Sequence, residues 1–308
     1  MTASGAPIVR VEHLTRKFGV RRGIVDVDFG IETGEVFGFL GPNGAGKSTT
    51  IRILLGLYRP TSGLARVFGL DPTREAAQIL HRIGYLPGEV TLHPRLTGGE
   101  HLDRFAHIRG MADLGYRDQL VDRFGAELDR PTHTLSKGNR QKIGLVMAFM
   151  HRPELLVLDE PTSGLDPLMQ DEFADLVHET TKEGRTILFS SHDLDEVQRL
   201  VERVCILREG RVVITASVES LRRSSPRSIE LRFDHDARPE VFARLDGVEV
   251  RAYEGGRITV TVTGPVAPLL RTAADQGAVD IAAGHADLDE LFLSYYRRTP
   301  DSGMPDVH

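Results

Sequence analysis

Eight consecutive residues constrain this chain more than any others: Gly41-Pro-Asn-Gly-Ala-Gly-Lys-Ser48. They follow a strand-like run, Glu35-Val36-Phe37, and precede a stretch in which Ile51, Leu54, Leu55 and Tyr58 recur at helical spacing. Glycines at such a strand-to-helix turn let successive backbone N–H groups point at one spot. The helix N-terminus adds partial positive charge at the same place. The run matches the phosphate-binding loop in full. Gly41, Pro42, Asn43, Gly44, Ala45 and Gly46 are expected to wrap the phosphates, with Lys47 reaching the β- and γ-phosphates. The Ser48 hydroxyl is expected on Mg²⁺, and Thr49 adds a further contact.

A second feature lies about 110 residues on. Leu155-Leu-Val-Leu-Asp159-Glu160 reads as a buried strand ending in two acids. In open α/β sheets, ligands sit at the carboxyl ends of strands. Asp159 is therefore placed to hold Mg²⁺ through water, and Glu160 to orient an attacking water or take its proton. A pair of solvated loop acids is the plainer alternative, and it loses weight beside a complete phosphate loop.

The surrounding pattern supplies a fold class. Val9-Arg10-Val11 and Val25-Asp26-Val27 read as further strands. Beyond Leu155–Leu158 come a helix over Gln170–Lys182, a strand at Thr186–Ser190, a helix from Leu194 and a strand at Val204–Leu207. That alternation argues for parallel strands with crossover helices. The stretch from about Thr73 to Met150 reads mostly as helix, broken at Pro87, Pro94 and Pro131. Ile143, Val146, Met147 and Met150 mark a buried face near its end. The polar, basic run Leu221–Ser228 reads as a linker. After it, Ser228–Phe233, Val248–Tyr253 and Arg257–Val262 look like strands, with helices near Pro239–Leu245 and Pro265–Gln276. A last helix opens with Asp287 and Glu290 in capping-box spacing, and Leu288, Leu291, Phe292 and Tyr295 form its apolar face. The expected architecture is an α/β core over residues 1–220, with a helical subdomain at about 73–150, followed by a small α+β domain over 221–308.

Composition narrows the partners. The 308 residues suit one large domain and a smaller one. A net charge of -6 speaks against nucleic acid as a partner. A single cysteine, Cys205, leaves no internal disulfide framework and fits a reducing compartment. Met1 to Pro7 lacks the apolar core of a secretory signal, and no run reaches the roughly 18 apolar residues that span a bilayer. Any membrane path must come from another polypeptide.

The residues that decide among phosphate-loop proteins are Leu135-Ser-Lys-Gly-Asn139, followed by Arg140-Gln-Lys142. They resemble the signature of ABC-type ATPases, usually Leu-Ser-Gly-Gly-Gln, with Lys137 at the first glycine and Asn139 at the glutamine. Ser136 and Gly138 are kept. The resemblance implies ATP as ligand and Mg²⁺-dependent hydrolysis to ADP and phosphate. It also implies a homodimer closing head-to-tail over two ATP, with Ser136 and Gly138 acting in trans. Ser163-Gly-Leu-Asp166 is similar to the loop lining that dimer seam, and Asp166 is carried over with it. His192 matches the family's switch histidine at the γ-phosphate, and Phe18 its adenine-stacking aromatic. Lys47, Glu160 and His192 then form the catalytic set.

One position departs from the pattern. The family's glutamine after Tyr-Leu-Pro is Gly88 here, in Ile83-Gly-Tyr-Leu-Pro-Gly88-Glu89. Either Glu89 substitutes as an oxygen ligand to Mg²⁺ or coupling runs differently. The resemblance spans about Ile8 to Ile214, and the helical segment within it corresponds to the family's arm that grips membrane subunits. The wording of the signature is similar to ATPase subunits of ABC-2-type exporters of drugs, antibiotics or lipophilic compounds. It implies a separate transmembrane permease and a peripheral place on the cytoplasmic face of the membrane. The C-terminal domain is then expected in dimer stabilisation or regulation. The alternatives are an importer ATPase, a soluble ABC protein of translation or DNA repair, and a module that senses nucleotide without hydrolysis. Glu160 argues against the last.

Overall fold

The computed structural model describes residues 6–19, 21–224 and 226–286. The expected terminal helix carrying Asp287, Leu288, Glu290, Leu291, Phe292 and Tyr295 lies outside the described residues. The chain forms two compact units, divided between Ala216 and Ser217.

In the first unit, β1 (Val9–Phe18) and β2 (Arg21–Ile31) pair antiparallel, with Val9 opposite Ile31. β3 (Val36–Leu40) is buried along its whole length and leads through the glycine-rich loop into α1 (Lys47–Leu54). β4 (Ser62–Val67) returns to pair with β1, completing a three-stranded sheet ordered β2-β1-β4. Next come α2 (Ala76–His81), β5 (Ile83–Leu86), α3 (Gly98–Ile108), α4 (Gly115–Phe124) and α5 (Lys137–Phe149). They are followed by β6 (Leu155–Asp159), α6 (Pro167–Lys182), β7 (Thr186–Ser191), α7 (Leu194–Leu200), β8 (Arg203–Arg208) and β9 (Arg211–Ser217).

The central sheet runs β5-β6-β7-β3-β8-β9, and every pairing from β5 to β8 is parallel. All positions of β6 and β7 are buried, as expected of strands covered on both faces. Because β3, β6 and β7 are parallel neighbours, the segments after them leave from one sheet edge. That brings the loop after β3, the acids ending β6 and the residues after β7 to one place.

Two expectations for this unit are amended. The stretch 73–150 is mostly helical as expected but not uniformly so, since Ile83–Leu86 pairs in register with Leu155–Leu158 as an edge of the parallel sheet. Four residues are too few to show strand periodicity, and only the partner strand reveals them. The helical part proper is α3 to α5, whose core includes Leu102, Ala106, Leu120, Phe124, Ile143 and Val146. A Thr97–Glu100 capping box starts α3. Likewise β4 has no counterpart among the expected strands.

The supposed linker at Leu221–Ser228 is also structured. It holds the end of α8 (Val218–Ser224) and the start of β10 (Arg227–Arg232). Buried Val218 and Leu221 lie three apart on one side of the helix, and Arg222 is exposed. The second unit continues with α9 (Pro239–Phe242), β11 (Val248–Glu254), β12 (Arg257–Val262), α10 (Ala267–Asp275) and β13 (Asp280–Ala286). Its strands form an antiparallel sheet ordered β11-β12-β10-β13. Alternate residues Ile229 and Leu231, with Ile258, Val260 and Val262, pack with Phe242, Leu269 and Ala273. Among the described residues no helix is long and apolar enough to cross a membrane.

Candidate functional site

The N-terminus of α1 is built to be left open. Gly46 caps it at φ 112°, and no side chain bonds to the first N–H groups. A Cβ on Gly46 would stand 2.6 Å from Ile24 Cγ2, so both conformation and space require glycine. The unpaired N–H groups are therefore available to an anion. Lys47 is only 6% exposed; its ammonium donates to the Gly41 carbonyl and lies 3.4 Å from Glu160 Oε1.

Asp159, at the end of β6, is held from two sides. Ser48 Oγ donates to its Oδ2 at 2.8 Å, and Ser190 Oγ from β7 donates to its Oδ1. A hydroxyl and a carboxylate in contact are hard oxygen donors of the kind Mg²⁺ takes, so this pair fits that ion.

Glu160 is the first residue past β6 and sits at φ 51°, a left-handed conformation costly for a residue with a side chain. Its N–H donates to the Ser190 carbonyl at 3.1 Å. Its Oε2 is 2.6 Å from His192 Nδ1. Its Oε1 is buried without a hydrogen-bond partner and has only the Lys47 ammonium nearby. A buried carboxylate oxygen with a free lone pair is placed to accept a proton.

These groups share a pocket of about 530 Å³, within the range of small-molecule sites. Its wall is formed by Pro42 through Thr49, Gly23, Gly88, Asp159, Glu160 and Phe18. Gly41 contributes its carbonyl to Lys47 from behind. Phe18 is 37% exposed, with the Arg16 guanidinium 4.9 Å from its ring centroid and the Tyr58 ring edge-on at 5.6 Å.

Glu89 does not join them. It is exposed and stands outside the wall, whereas Gly88 is part of it. A Cβ on Gly88 would be 3.5 Å from Asp159 Oδ2, so a side chain at 88, not 89, would reach the carboxylate.

Ser136, Gly138 and Asp166 are likewise absent from the pocket of their own chain. Ser136 caps α5, its Oγ accepting from the Asn139 N–H at 3.1 Å. Asp166 caps α6 through the Met169 N–H at 3.1 Å. A Cβ on Gly138 would lie 2.6 Å from the Gly164 carbonyl, so glycine lets the two segments touch. Both departures from the usual signature are used within the chain. Lys137 Nζ donates to Ser163 Oγ at 2.8 Å, and the Asn139 amide exchanges two 2.8 Å bonds with the Glu127 backbone.

Three residues beyond those read from the sequence enter the arrangement. Ser190 holds Asp159, and its signal was a hydroxyl inside an apolar strand. Buried Gln141 donates to the carbonyls of Glu160 and Pro161, at 3.3 and 2.8 Å. Glu196 receives the Thr162 and Ser191 hydroxyls; burial pushes its carboxyl above the ordinary range, and those two donors oppose the rise. Nothing in the local sequence around Gln141 or Glu196 announces these partners.

The family described as ABC transporter matches residues 24–163. A bacitracin transport ATP-binding protein of Bacillus licheniformis is 34% identical over 80% of this chain and 81% of its own length. A daunorubicin/doxorubicin resistance ATP-binding protein of Streptomyces peucetius is 32% identical over 93% of this chain and 91% of its own. A solved ATP-binding subunit of an ABC transporter superposes with TM-score 0.65 at 31% identity, covering 70% of this chain and 92% of that one. Likeness of that extent, centred on the loop and acids just described, makes this chain a member of the ABC transporter family, one of its ATP-binding, ATP-hydrolysing subunits.

Proposed function

We propose that this chain powers an exporter of drugs, antibiotics or similarly lipophilic compounds. Cassettes of this family work with transmembrane subunits, and here the permease is a separate polypeptide that holds the ATPase at the cytoplasmic face of the membrane. The observation that carries the export reading is the reach of the daunorubicin/doxorubicin resistance relative. It matches 93% of this chain and so extends into the second unit as well as the first. An importer ATPase shares the nucleotide chemistry, but none of the observations favours it.

In the proposed reaction, α1 and Lys47 bind the phosphates, Ser48 and Asp159 hold Mg²⁺, and Phe18 stacks on adenine. The bound Mg²⁺ supplies charge neutralisation at the phosphates. Glu160 takes a proton from water as the water oxygen bonds to the γ-phosphorus and the bridging P–O bond breaks, leaving ADP. His192, already 2.6 Å from Glu160, holds that carboxylate and reaches the γ-phosphate. Positioning and charge do the catalysis, without a covalent intermediate. A second copy of the chain supplies Ser136, Gly138 and Asp166 across a head-to-tail interface. The helical part, α3 to α5, passes closure to the permease. The region 221–308 stabilises or regulates the dimer.

Glu160→Gln tests the chemistry: it is expected to bind ATP, accumulate as an ATP-dependent dimer on size exclusion, and lose about 10²-fold or more of its turnover. Turnover at the wild-type rate would refute the role of Glu160. Affinity purification of the tagged chain from detergent-solubilised membranes tests the transport role. A multi-span membrane protein without an extracytoplasmic binding protein supports export. A ribosomal or DNA-repair partner overturns it.

A further inference from the structure

The segment Glu160–Ser163 is gripped at every residue by side chains from elsewhere. Gln141 takes the carbonyls of Glu160 and Pro161, Glu196 the Thr162 hydroxyl, and Lys137 the Ser163 hydroxyl. Two of these grips, Lys137 and Gln141, come from α5 and stand four residues apart, on one face of that helix. Glu160 itself is held at φ 51°, a conformation that persists only where the surroundings over-determine it.

Gln141 is 2% exposed and spends its amide on two consecutive backbone carbonyls. A buried glutamine with that geometry fixes the peptide plane between Glu160 and Pro161, and with it the direction of the Glu160 side chain. Its own Nε2–H groups make no contact with the pocket.

We propose that Gln141 is a positioning residue for hydrolysis, holding the strained Glu160 so that its carboxylate keeps its place beside Lys47 at the pocket wall. Because Gln141 and Lys137 lie on the helix that begins at Ser136, the same helix face ties the signature end of a subunit to that subunit's own Glu160. Displacement of the signature end is thereby transmitted to the carboxylate without passing through the nucleotide. This rests on the reading of Glu160 as the group that activates water.

Gln141→Met keeps the volume and removes both donors. The expected result is a fall in kcat of about tenfold or more, since a carboxylate displaced by about 1 Å loses much of its advantage. The KM for ATP and the Kd for ADP, set by α1 and Lys47, stay within about twofold. A purely structural role would lower the melting temperature and leave kcat per folded molecule unchanged, and that outcome overturns the proposal. Should Gln141→Met fail to fold, Gln141→Asn carries the test. Its amide is one methylene short of the Pro161 carbonyl, and the same loss of kcat at constant KM is expected. Glu160→Gln separates the two ideas. If that variant turns over normally, both fall together. If it is inactive while Gln141→Met matches wild type, only the positioning role fails.

Discussion

Two helix N-termini in this molecule are treated in opposite ways. At α1 the cap is Gly46, no side chain bonds the first turn, and the exposed N–H groups face the pocket. At α5 the cap is Ser136, whose hydroxyl already accepts from the Asn139 N–H. Both carry the same partial positive charge. The first is complete as an anion site within one chain. The second is closed by its own hydroxyl and braced by Lys137 on Ser163 and Asn139 on Glu127. The two ends are thus distinguished by who satisfies the backbone: an incoming ligand at α1, the chain's own hydroxyl at α5.

The largest test of that contrast is Lys47→Ala. Removing the one buried ammonium at the open end is expected to weaken ATP binding by about 100-fold, the worth of a charge-assisted hydrogen bond in a dry site. Calorimetric titration of ATP into the variant measures it, and near-normal affinity would show that the backbone N–H groups suffice.

Substitutions at Ser136 separate capping from recognition at the closed end. Ser136→Asp preserves the cap, since aspartate serves there as well as serine. It also puts a negative charge where a partner's γ-phosphate is proposed to sit. Stability is expected to hold while hydrolysis falls about tenfold or more, as like-charge repulsion requires. Ser136→Ala reverses the balance, costing about 1 kcal/mol of stability for the lost cap, with a smaller loss of turnover. If Ser136→Asp hydrolyses normally, the closed end is only structural.

The smallest expected effect is at the far end of α5. His151 is pushed down to about 4 by burial, and its ring nitrogen lies 3.1 Å from the Ile83 carbonyl. The folded protein therefore keeps it neutral where the unfolded chain, with the ordinary histidine value of about 6.5, takes a proton. Its contribution is complete above about pH 6.5, shrinks as pH falls, and stops changing below about 4. His151→Gln is expected to flatten the pH dependence of the melting temperature over that window. A wild-type slope unchanged by the substitution would place the titration elsewhere.

How much was legible in advance follows the range of each interaction. The loop from Gly41 to Ser48 was readable because its function lies in the backbone torsions of adjacent residues. The Asp159–Glu160 pair was readable because a buried strand has to end where the chain turns polar. The signature was readable only by likeness, and its two departures, Lys137 and Asn139, found uses in the structure that their letters do not predict.

The sequence by itself determined the parallel-sheet core, the phosphate loop and the acids at the strand end. Each was read from a pattern among residues close together along the chain. Only the tertiary structure decided that Ile83–Leu86 is a strand, that Gly88 and not Glu89 faces Asp159, and that Leu221 belongs to a helix. It alone brought Ser190 onto Asp159 and Gln141 onto the Glu160 backbone, across 31 and 19 residues of chain. Such contacts depend on strand register and helix rotation, and a shift of one residue in either exchanges the groups that face the site for those that face away.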